Sequence, residues 1–177
     1  MKIEIKNLKY MASMSHETNC FSCDVWINGK KAISAYNEGH GGRTFYRPYK
    51  GMEDLMKQAE EWAKSQPEHS YKFKGEEFCF PNSLEIQIDK LVEEQLICKE
   101  NEKFKKKKEK DMLTALILWK PEMEDNRYRF VTFGKPKIPI AELLKKQNGI
   151  NTLKQAIAKY KAEGYTIRNT NLNGLNE

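Results

Sequence analysis

Residues 37–43 read Asn-Glu-Gly-His-Gly-Gly-Arg and place one histidine among glycines, directly before an arginine. Successive exposed N–H groups in a glycine-rich turn can hold an anion. In that arrangement Arg43 would close on a phosphate or carboxylate, and His40, whose ordinary pKa is near neutrality, would donate a hydrogen bond or move a proton. The alternative is a tight strand exit that leaves His40 merely exposed, a common use of such glycines. The three glycines concerned are Gly39, Gly41 and Gly42.

Basic and aromatic residues alternate in and after this loop. The glycine spacing matches neither the dinucleotide fingerprint nor the P-loop, and the residues that follow do not begin a helix whose dipole would hold a phosphate. Basic groups contact backbone phosphates and aromatic rings stack on bases, so the segment predicts nucleic-acid contact, with an ordinary surface loop as the alternative. The side chains concerned are Arg43, Tyr46, Arg47, Tyr49 and Lys50.

No set of residues completes a metal site or a catalytic site in the sequence. Cys20 and Cys23 have the CxxC spacing, but in a strand they would point to opposite faces, and no second pair completes four ligands. The carboxylates of segment 122–125 lie in one short turn and are interpreted as solvated. We therefore expect no metal and no cofactor. Catalysis is not expected either, the alternative being a small hydrolase or nucleotide-binding enzyme that uses His40 and the glycine loop.

Composition indicates one globular domain with a basic surface. The 177 residues carry a formal charge of +6 and are 39% hydrophobic. This charge permits nucleic acid or an acidic protein surface as partner, and it sets no oligomeric state. Seven lysines lie in the segment 99–111, which we interpret as a solvated helix end or linker, with a partner-binding patch as the alternative. This segment also suggests a subdivision into 1–98, 99–111 and 112–177.

The sequence predicts a cytoplasmic protein. The N-terminal residues alternate charged and apolar side chains and lack the apolar core of a secretory signal, so reduced cysteines are expected. The longest apolar run, 113–119, is far shorter than the roughly 18 residues of a membrane span. We expect no membrane partner.

Alternation of apolar residues predicts strands at the N-terminus. Residues 2–10 form the first, and a hairpin follows in which Val25 and Ile33 lie on the apolar face. A two-residue turn at Asn28 and Gly29 would place Ile33 on the opposite face. We therefore predict a three-residue turn in which Gly29 forms a bulge and the odd-numbered positions of both strands stay buried together.

Helical periodicity appears further along the chain. It predicts a helix within 51–66 and a long helix after Asn82, with Asn82 as its N-cap and Glu85 completing a capping box. Paired strands are predicted at 113–119 and 128–133, helices within 140–146 and around 153–160 with stop signals at Gly149 and Gly164, and a last strand at 165–168 before a mobile polar tail. Short extended pieces are predicted at 71–73 and 78–80. Strands and helices occur in separate groups, so the predicted class is α+β with largely antiparallel sheet.

The N-terminal residues resemble a group of small bacterial and phage proteins. The resemblance rests on "IKNLKY", "HETNCFSCDVWINGKKA" and "NEGHGG", and it covers about the first 45 residues. It implies an N-terminal hairpin that leads into an Asn-acidic-Gly-His-Gly-Gly element, in a small intracellular accessory protein of a phage or mobile element. Such proteins often bind nucleic acid or inhibit a host or defence protein, so the expected function is binding without catalysis.

Overall fold

A computed structural model describes residues 1–175 of the chain, apart from the side chain of Phe73. Within these residues the chain forms nine strands, four α-helices and one short 3-10 helix at Ala12–Met14, and the paired strands are antiparallel. The predicted α+β class is confirmed. The strands are β1 Ile3–Tyr10, β2 Phe21–Ile27, β3 Lys30–Asn37, β4 Phe45–Pro48, β5 His69–Phe73, β6 Glu76–Phe80, β7 Ala115–Trp119, β8 Arg129–Thr132 and β9 Thr166–Ile167. The helices are α1 Glu53–Lys64, α2 Leu84–Met112, α3 Ile140–Leu143 and α4 Gln147–Ala162.

The chain divides into two compact units, Met1–Ile97 and Cys98–Glu177. The lysine-rich segment 99–111 is not a separate piece, because it forms the second half of α2. In the part of the chain that the structure describes, no helix is both long enough and apolar enough to cross a membrane.

The first unit is built on a sheet with the strand order β1-β2-β3-β4. Side chains from one face of this sheet form a core with α1 and the first half of α2, because every second strand residue is apolar. Fully buried members of this core include Val25, Ile27, Ile33, Ala59, Ile88 and Val92. The opposite face, which we call the outer face, carries the polar, charged and aromatic strand residues.

The turn between β2 and β3 differs from the predicted one. Asn28 and Gly29 both have positive φ, 48° and 79°, as a two-residue type I′ turn requires. The extra residue lies inside β3: Val25 pairs with Ile33 and Trp26 with Lys31, so Ala32 forms a bulge. Val25 and Ile33 are therefore both buried on one face, as predicted, but the bulge that brings this about is three residues away from the predicted position.

The N-cap of α2 is Ser83 and not Asn82. The Ser83 hydroxyl accepts a hydrogen bond of 3.2 Å from the N–H of Ile86, the third residue of the helix. The Asn82 carbonyl oxygen accepts from the Ser83 N–H and from Gln87 instead. Glu85 does not complete a capping box, because its carboxylate accepts the N–H of Thr44.

The predicted extended pieces near residues 71–80 pair as a hairpin. Strands β5 and β6 are joined by Lys74 and Gly75, both with positive φ. Tyr71 stacks on Phe78 and Phe80 on one face of this hairpin, with ring centroids 5.5 and 5.7 Å apart.

The second unit contains a sheet with the order β8-β7-β9, and α3 and α4 contribute to its core. The predicted pairing of β7 with β8 is confirmed. Gly149 does not stop a helix, because it lies in the first turn of α4, where a Cβ would overlap the carbonyl oxygen of Leu143. Gly164, with a φ of 84°, follows the end of α4 as predicted.

The predicted mobile tail is wrong for residues 169–175. Asn169 and Leu172 are buried, and the Asn169 carboxamide accepts from the Ile117 N–H and donates to the Ala115 carbonyl oxygen. The side chain thereby satisfies β7 backbone groups in the manner of a neighbouring strand. Residues 176 and 177 of the predicted tail lie outside the described residues.

Candidate functional site

The glycine loop that follows β3 is held by the buried side chain of Asn37. Its carbonyl oxygen accepts from the Thr18 hydroxyl at 2.9 Å and from the Gly39 N–H at 2.8 Å. Its amide nitrogen donates to the Gly42 carbonyl oxygen at 3.0 Å and to the Thr44 hydroxyl at 3.1 Å. Asn37 therefore closes the loop on itself and ties it to the preceding segment.

Gly39 is required by close packing as well as by backbone conformation, and Gly41 by backbone conformation. Gly39 has a φ of 86°, and a Cβ there would overlap the carbonyl oxygen of Met14. Gly41 has a φ of 80°, and a Cβ there would meet only the end of the Glu17 side chain, which can move aside. The Gly39 carbonyl oxygen also accepts hydrogen bonds from the N–H groups of His16 and Glu17. These glycines thus allow residues 14–17 to pack against the loop.

Two of the N–H groups that would form the predicted anion cup bond within the protein. The N–H of Gly39 is donated to Asn37, and the N–H of Gly41 is donated to the Thr18 hydroxyl at 3.3 Å. His40 is exposed, and its ring stacks on His16 with centroids 5.4 Å apart. These loop N–H groups are used internally, so they do not converge on a ligand.

The outer face of the first sheet brings side chains from four strands into two cross-strand rows. The register places Lys9, Ser22, Tyr36 and Phe45 opposite one another in the first row. It places Lys6, Asp24, Ser34 and Arg47 in the second row. A bulge at Asn7 and Leu8 puts Lys6 and Lys9 on the same face despite their odd spacing.

Tyr36 and Phe45 form an exposed aromatic pair at one end of the first row. Their ring centroids are 5.5 Å apart, and 41% and 45% of their surfaces are exposed. The Arg43 guanidinium carbon lies 5.8 Å from the centroid of Phe45. Large exposed aromatic residues on a sheet face indicate a binding surface. Neither residue belongs to the predicted site, although the odd-numbered core positions of β3 assign Tyr36 to the outer face.

The other residues of the predicted basic and aromatic segment point to different places. Tyr46 pairs with Ala35 on the core side and donates to the Glu60 carboxylate, so it does not share the outer face. Burial and that carboxylate raise the pKa of Tyr46 to about 12. Lys50 lies exposed in the turn after β4.

Tyr49 is directed to a polar cluster on the outer face. Its hydroxyl donates to Asp24 at 2.6 Å, and Lys31 pairs with the same carboxylate at 2.9 Å. Burial alone would raise the pKa of Asp24, but hydrogen bonds from Tyr49, Asn7 and Lys31 outweigh it and lower the pKa to about 2. The Lys31 Nζ also lies 4.6 Å from the centroid of the Tyr49 ring. This cluster of contacts lies at the centre of the second row.

A shallow concavity of about 470 Å³ lies over the middle of the outer face. Ser22 and Ser34, which are small, form part of its lining, and Lys9 and Asp24 also line it. Among residues 1–175, no ion pair involves Lys9, Arg43 or Arg47. The face therefore presents unpaired cations and open aromatic rings around a groove with a small-residue floor.

Charge is segregated within the first unit. Residues 1–97 carry 13 basic and 15 acidic side chains. The outer face, with Arg43 at its edge, carries five of the basic side chains but only two acidic ones, Glu4 and Asp24. The five basic residues are Lys6, Lys9, Lys31, Arg43 and Arg47. The acidic groups concentrate on the two helices that cover the other face, including Glu60, Glu85 and Asp89. The unit is slightly acidic as a whole, but this surface is basic.

The remaining predicted candidates do not assemble a chemical site. Cys20 precedes β2, so strand alternation does not apply to it, and both Cys20 and Cys23 are buried free thiols. Of the residues the structure describes, no group of three or more His, Cys, Asp or Glu side chains could hold a metal ion. The lysine-rich segment is helical and mostly exposed, and its Phe104 packs against Tyr128 with ring centroids 5.4 Å apart.

Comparisons of the chain with protein-family models, curated protein sequences and solved structures found no match. The resemblance of the N-terminal residues to a bacterial and phage group therefore stays an expectation. What can be said of function rests on the geometry of the outer face.

Proposed function

We propose that this protein binds single-stranded nucleic acid through the outer face of its first sheet, without catalysis. The observation that carries the proposal is the exposed Tyr36–Phe45 pair in one row with Lys9. Unpaired bases stack on exposed aromatic rings, and basic groups beside them contact the backbone phosphates. A wide antiparallel sheet with helices on only one face offers such rings to a strand whose bases are splayed out.

The charge pattern supports nucleic acid over an acidic protein surface as the partner. Arg43 and Arg47 flank the aromatic pair, and Lys6 and Lys9 lie across the groove, so cations occupy both sides of the exposed rings. A strand that crosses the face would place phosphates near these groups and bases near the rings. From the resemblance of the N-terminus and from the free thiols, we also propose that this is a cytoplasmic accessory protein of a phage or mobile element.

Binding of labelled single-stranded DNA and RNA, measured by fluorescence anisotropy, tests this proposal. The double variant Tyr36→Leu/Phe45→Leu keeps apolar surface but removes both stacking rings, and we expect affinity to fall about tenfold or more. Tyr71→Leu is the matched control, because Tyr71 is 47% exposed in the same unit but lies on the β5–β6 hairpin. The control should bind like the unmodified protein.

Two results would contradict the proposal. The first is that the unmodified protein binds neither oligonucleotide above a neutral control protein, which would favour a host or defence protein as the partner. The second is that Tyr71→Leu weakens binding as much as the double variant. Turnover of a nucleotide panel that is lost in His40→Ala would instead support the hydrolase alternative.

A further inference from the structure

The second unit carries the positive charge of the protein. Residues 98–177 contain 18 basic and 10 acidic side chains, whereas residues 1–97 are slightly acidic. Helix α4 contains three lysines and no acidic residue. A basic unit of this kind attracts polyanions. A polyanion would bind where basic side chains lie together without ion-pair partners.

Two such cations meet at one tyrosine, Tyr165, which directly precedes β9. The Lys120 Nζ lies 4.4 Å from the centroid of the Tyr165 ring. The Arg129 guanidinium carbon lies 6.0 Å from the same centroid, and its Nη1 donates a 2.8 Å hydrogen bond to the Tyr165 hydroxyl. The hydrogen bond and the cation–π contacts hold both cations at the Tyr165 side chain.

The basic and aromatic surface continues onto α4. Tyr160 contacts Tyr165 edge-on at 6.1 Å, and the Lys159 Nζ lies 5.3 Å from the Tyr160 centroid. We call these five residues, Lys120, Arg129, Lys159, Tyr160 and Tyr165, the Tyr165 cluster. Within the described chain, none of its three cations takes part in an ion pair.

A concavity of about 540 Å³ opens beside the cluster. Lys120, Arg129 and Tyr165 line it together with Arg127, Glu122 and Glu124. Glu124 is ion-paired to Arg127 at 3.0 Å, which leaves Lys120 and Arg129 facing the single carboxylate of Glu122. Both cations line the same concavity, so an anion bound there would be attracted by both of them.

We infer that the Tyr165 cluster is a phosphate-binding site, separate from the outer face of the first sheet. Lys120 and Arg129 lie next to the Tyr165 ring, so the ring is not open for a base to stack on. The site instead offers positive charge and N–H donors. Arginine and lysine are the usual partners of phosphate oxygens. The phosphate belongs to a nucleic-acid strand or to a free nucleotide, and both sources share this chemistry.

A short abasic deoxyribose-phosphate oligomer tests the site in the full chain, because it presents phosphates without bases. The double variant Lys120→Gln/Arg129→Gln should bind it more weakly, and the slope of log affinity against log salt should fall by about 0.7 for each lost contact. Lys159→Gln, a single change at an exposed position, should show the same direction with a smaller effect. Lys145→Gln is the matched control, because Lys145 lies in the same unit but is paired with Glu142 at 2.6 Å.

The outcomes separate this site from the outer face. Loss of abasic-oligomer binding in the double variant but not in Lys145→Gln supports a strand phosphate, whether or not the Tyr36 and Phe45 variants affect base-containing oligonucleotides. A free nucleotide is supported if the unmodified protein binds ATP but not the abasic oligomer, and if the double variant loses ATP binding while Lys145→Gln keeps it. Binding of either probe that is equal in the double variant and the control, or absent from the unmodified protein, overturns the inference.

Discussion

Asn37 and Thr44 share a buried hydrogen bond of 3.1 Å that joins the end of β3 to the residue before β4. The Thr44 hydroxyl also donates to the Asp89 carboxylate at 2.6 Å, so one fully buried side chain connects the glycine loop to helix α2. Burial raises the pKa of Asp89 above its ordinary value, the hydrogen bond from Thr44 opposes this, and nearby Glu85 reinforces it.

Replacing Thr44 by valine should therefore destabilise the protein, although the volume of the side chain stays nearly the same. The change removes one acceptor of the buried Asn37 amide and the donor to Asp89, which is exposed and can bind water instead. A buried polar group that loses its partner costs about 1–3 kcal/mol. Urea denaturation measures the loss in the free energy of unfolding. Thr170→Val, at an exposed position, should stay within about 0.5 kcal/mol of the unmodified protein. Equal stability of the two variants would show that the Thr44 hydroxyl has no structural role.

Three glycine-to-alanine changes separate backbone strain from lack of space. Gly42→Ala should be nearly neutral, because a Cβ there has no neighbour within 4 Å and its φ is not in the left-handed region. Gly29→Ala should cost about 1–2 kcal/mol, since its φ is 79° but the space around it is open. Gly39→Ala should cost clearly more, because strain and overlap with Met14 act together. Thermal melts that rank the three differently would contradict this account of the loop.

Asn169→Ala should destabilise the second unit. It leaves the Ile117 N–H and the Ala115 carbonyl oxygen without the side chain that satisfies them, at about 1–3 kcal/mol for each group that stays unpaired. Hydrogen exchange at the Ile117 amide gives a local readout, because that N–H should lose protection. Asn126→Ala, an exposed change in the same unit, serves as control. An unchanged Ile117 exchange rate would mean that another group replaces the Asn169 side chain.

Asp24 makes stability depend on pH in the acid range. Its pKa of about 2 in the folded protein is below its ordinary value of 3.8, so its contribution is present above pH 4 and is lost as pH falls through 2. Asp24→Asn should lower stability at pH 7 by about 1 kcal/mol, a modest value because the site lies near solvent. The difference from the unmodified protein should shrink between pH 4 and pH 2. Asp54→Asn serves as the control. A loss of stability in Asp24→Asn that is constant over this pH range, or that equals the loss in Asp54→Asn, would exclude the hydrogen bonds to Asp24.

The four cysteines should fall into two reactivity classes. Cys79 and Cys98 are exposed, whereas Cys20 and Cys23 are buried. Burial, reinforced by Asp24 and Asp89, raises the pKa of Cys23 to about 12, and the thiolate is the reactive form. Titration with dithionitrobenzoate should detect two thiols in the native protein and four after denaturation. Rapid reaction of all four thiols in the native protein would contradict the burial of the N-terminal sheet.

Much of the fold could be predicted because side-chain periodicity is a local property. Alternation located β1, β2 and β3, apolar runs of bulky residues located the pair β7 and β8, and the 3.6-residue period located α1, α2 and α4. The candidate site was only partly predictable. Arg43 and Arg47 lie at the outer face as a basic and aromatic surface requires, but Tyr46 points to the core side, and the exposed pair Tyr36 and Phe45 was missed.

The sequence by itself determined the α+β class, the approximate places of most elements and the sharing of one face by Val25 and Ile33. These follow from patterns within a few residues of one another. Only the tertiary structure decided where the bulges lie, and a one-residue shift reverses the face of every later side chain in a strand. The bulge at Asn7 and Leu8 brings Lys9 beside Lys6, and the Ala32 bulge keeps Tyr36 on the outer face. Strand pairing then adds Phe45 to complete a surface whose members are far apart in the chain.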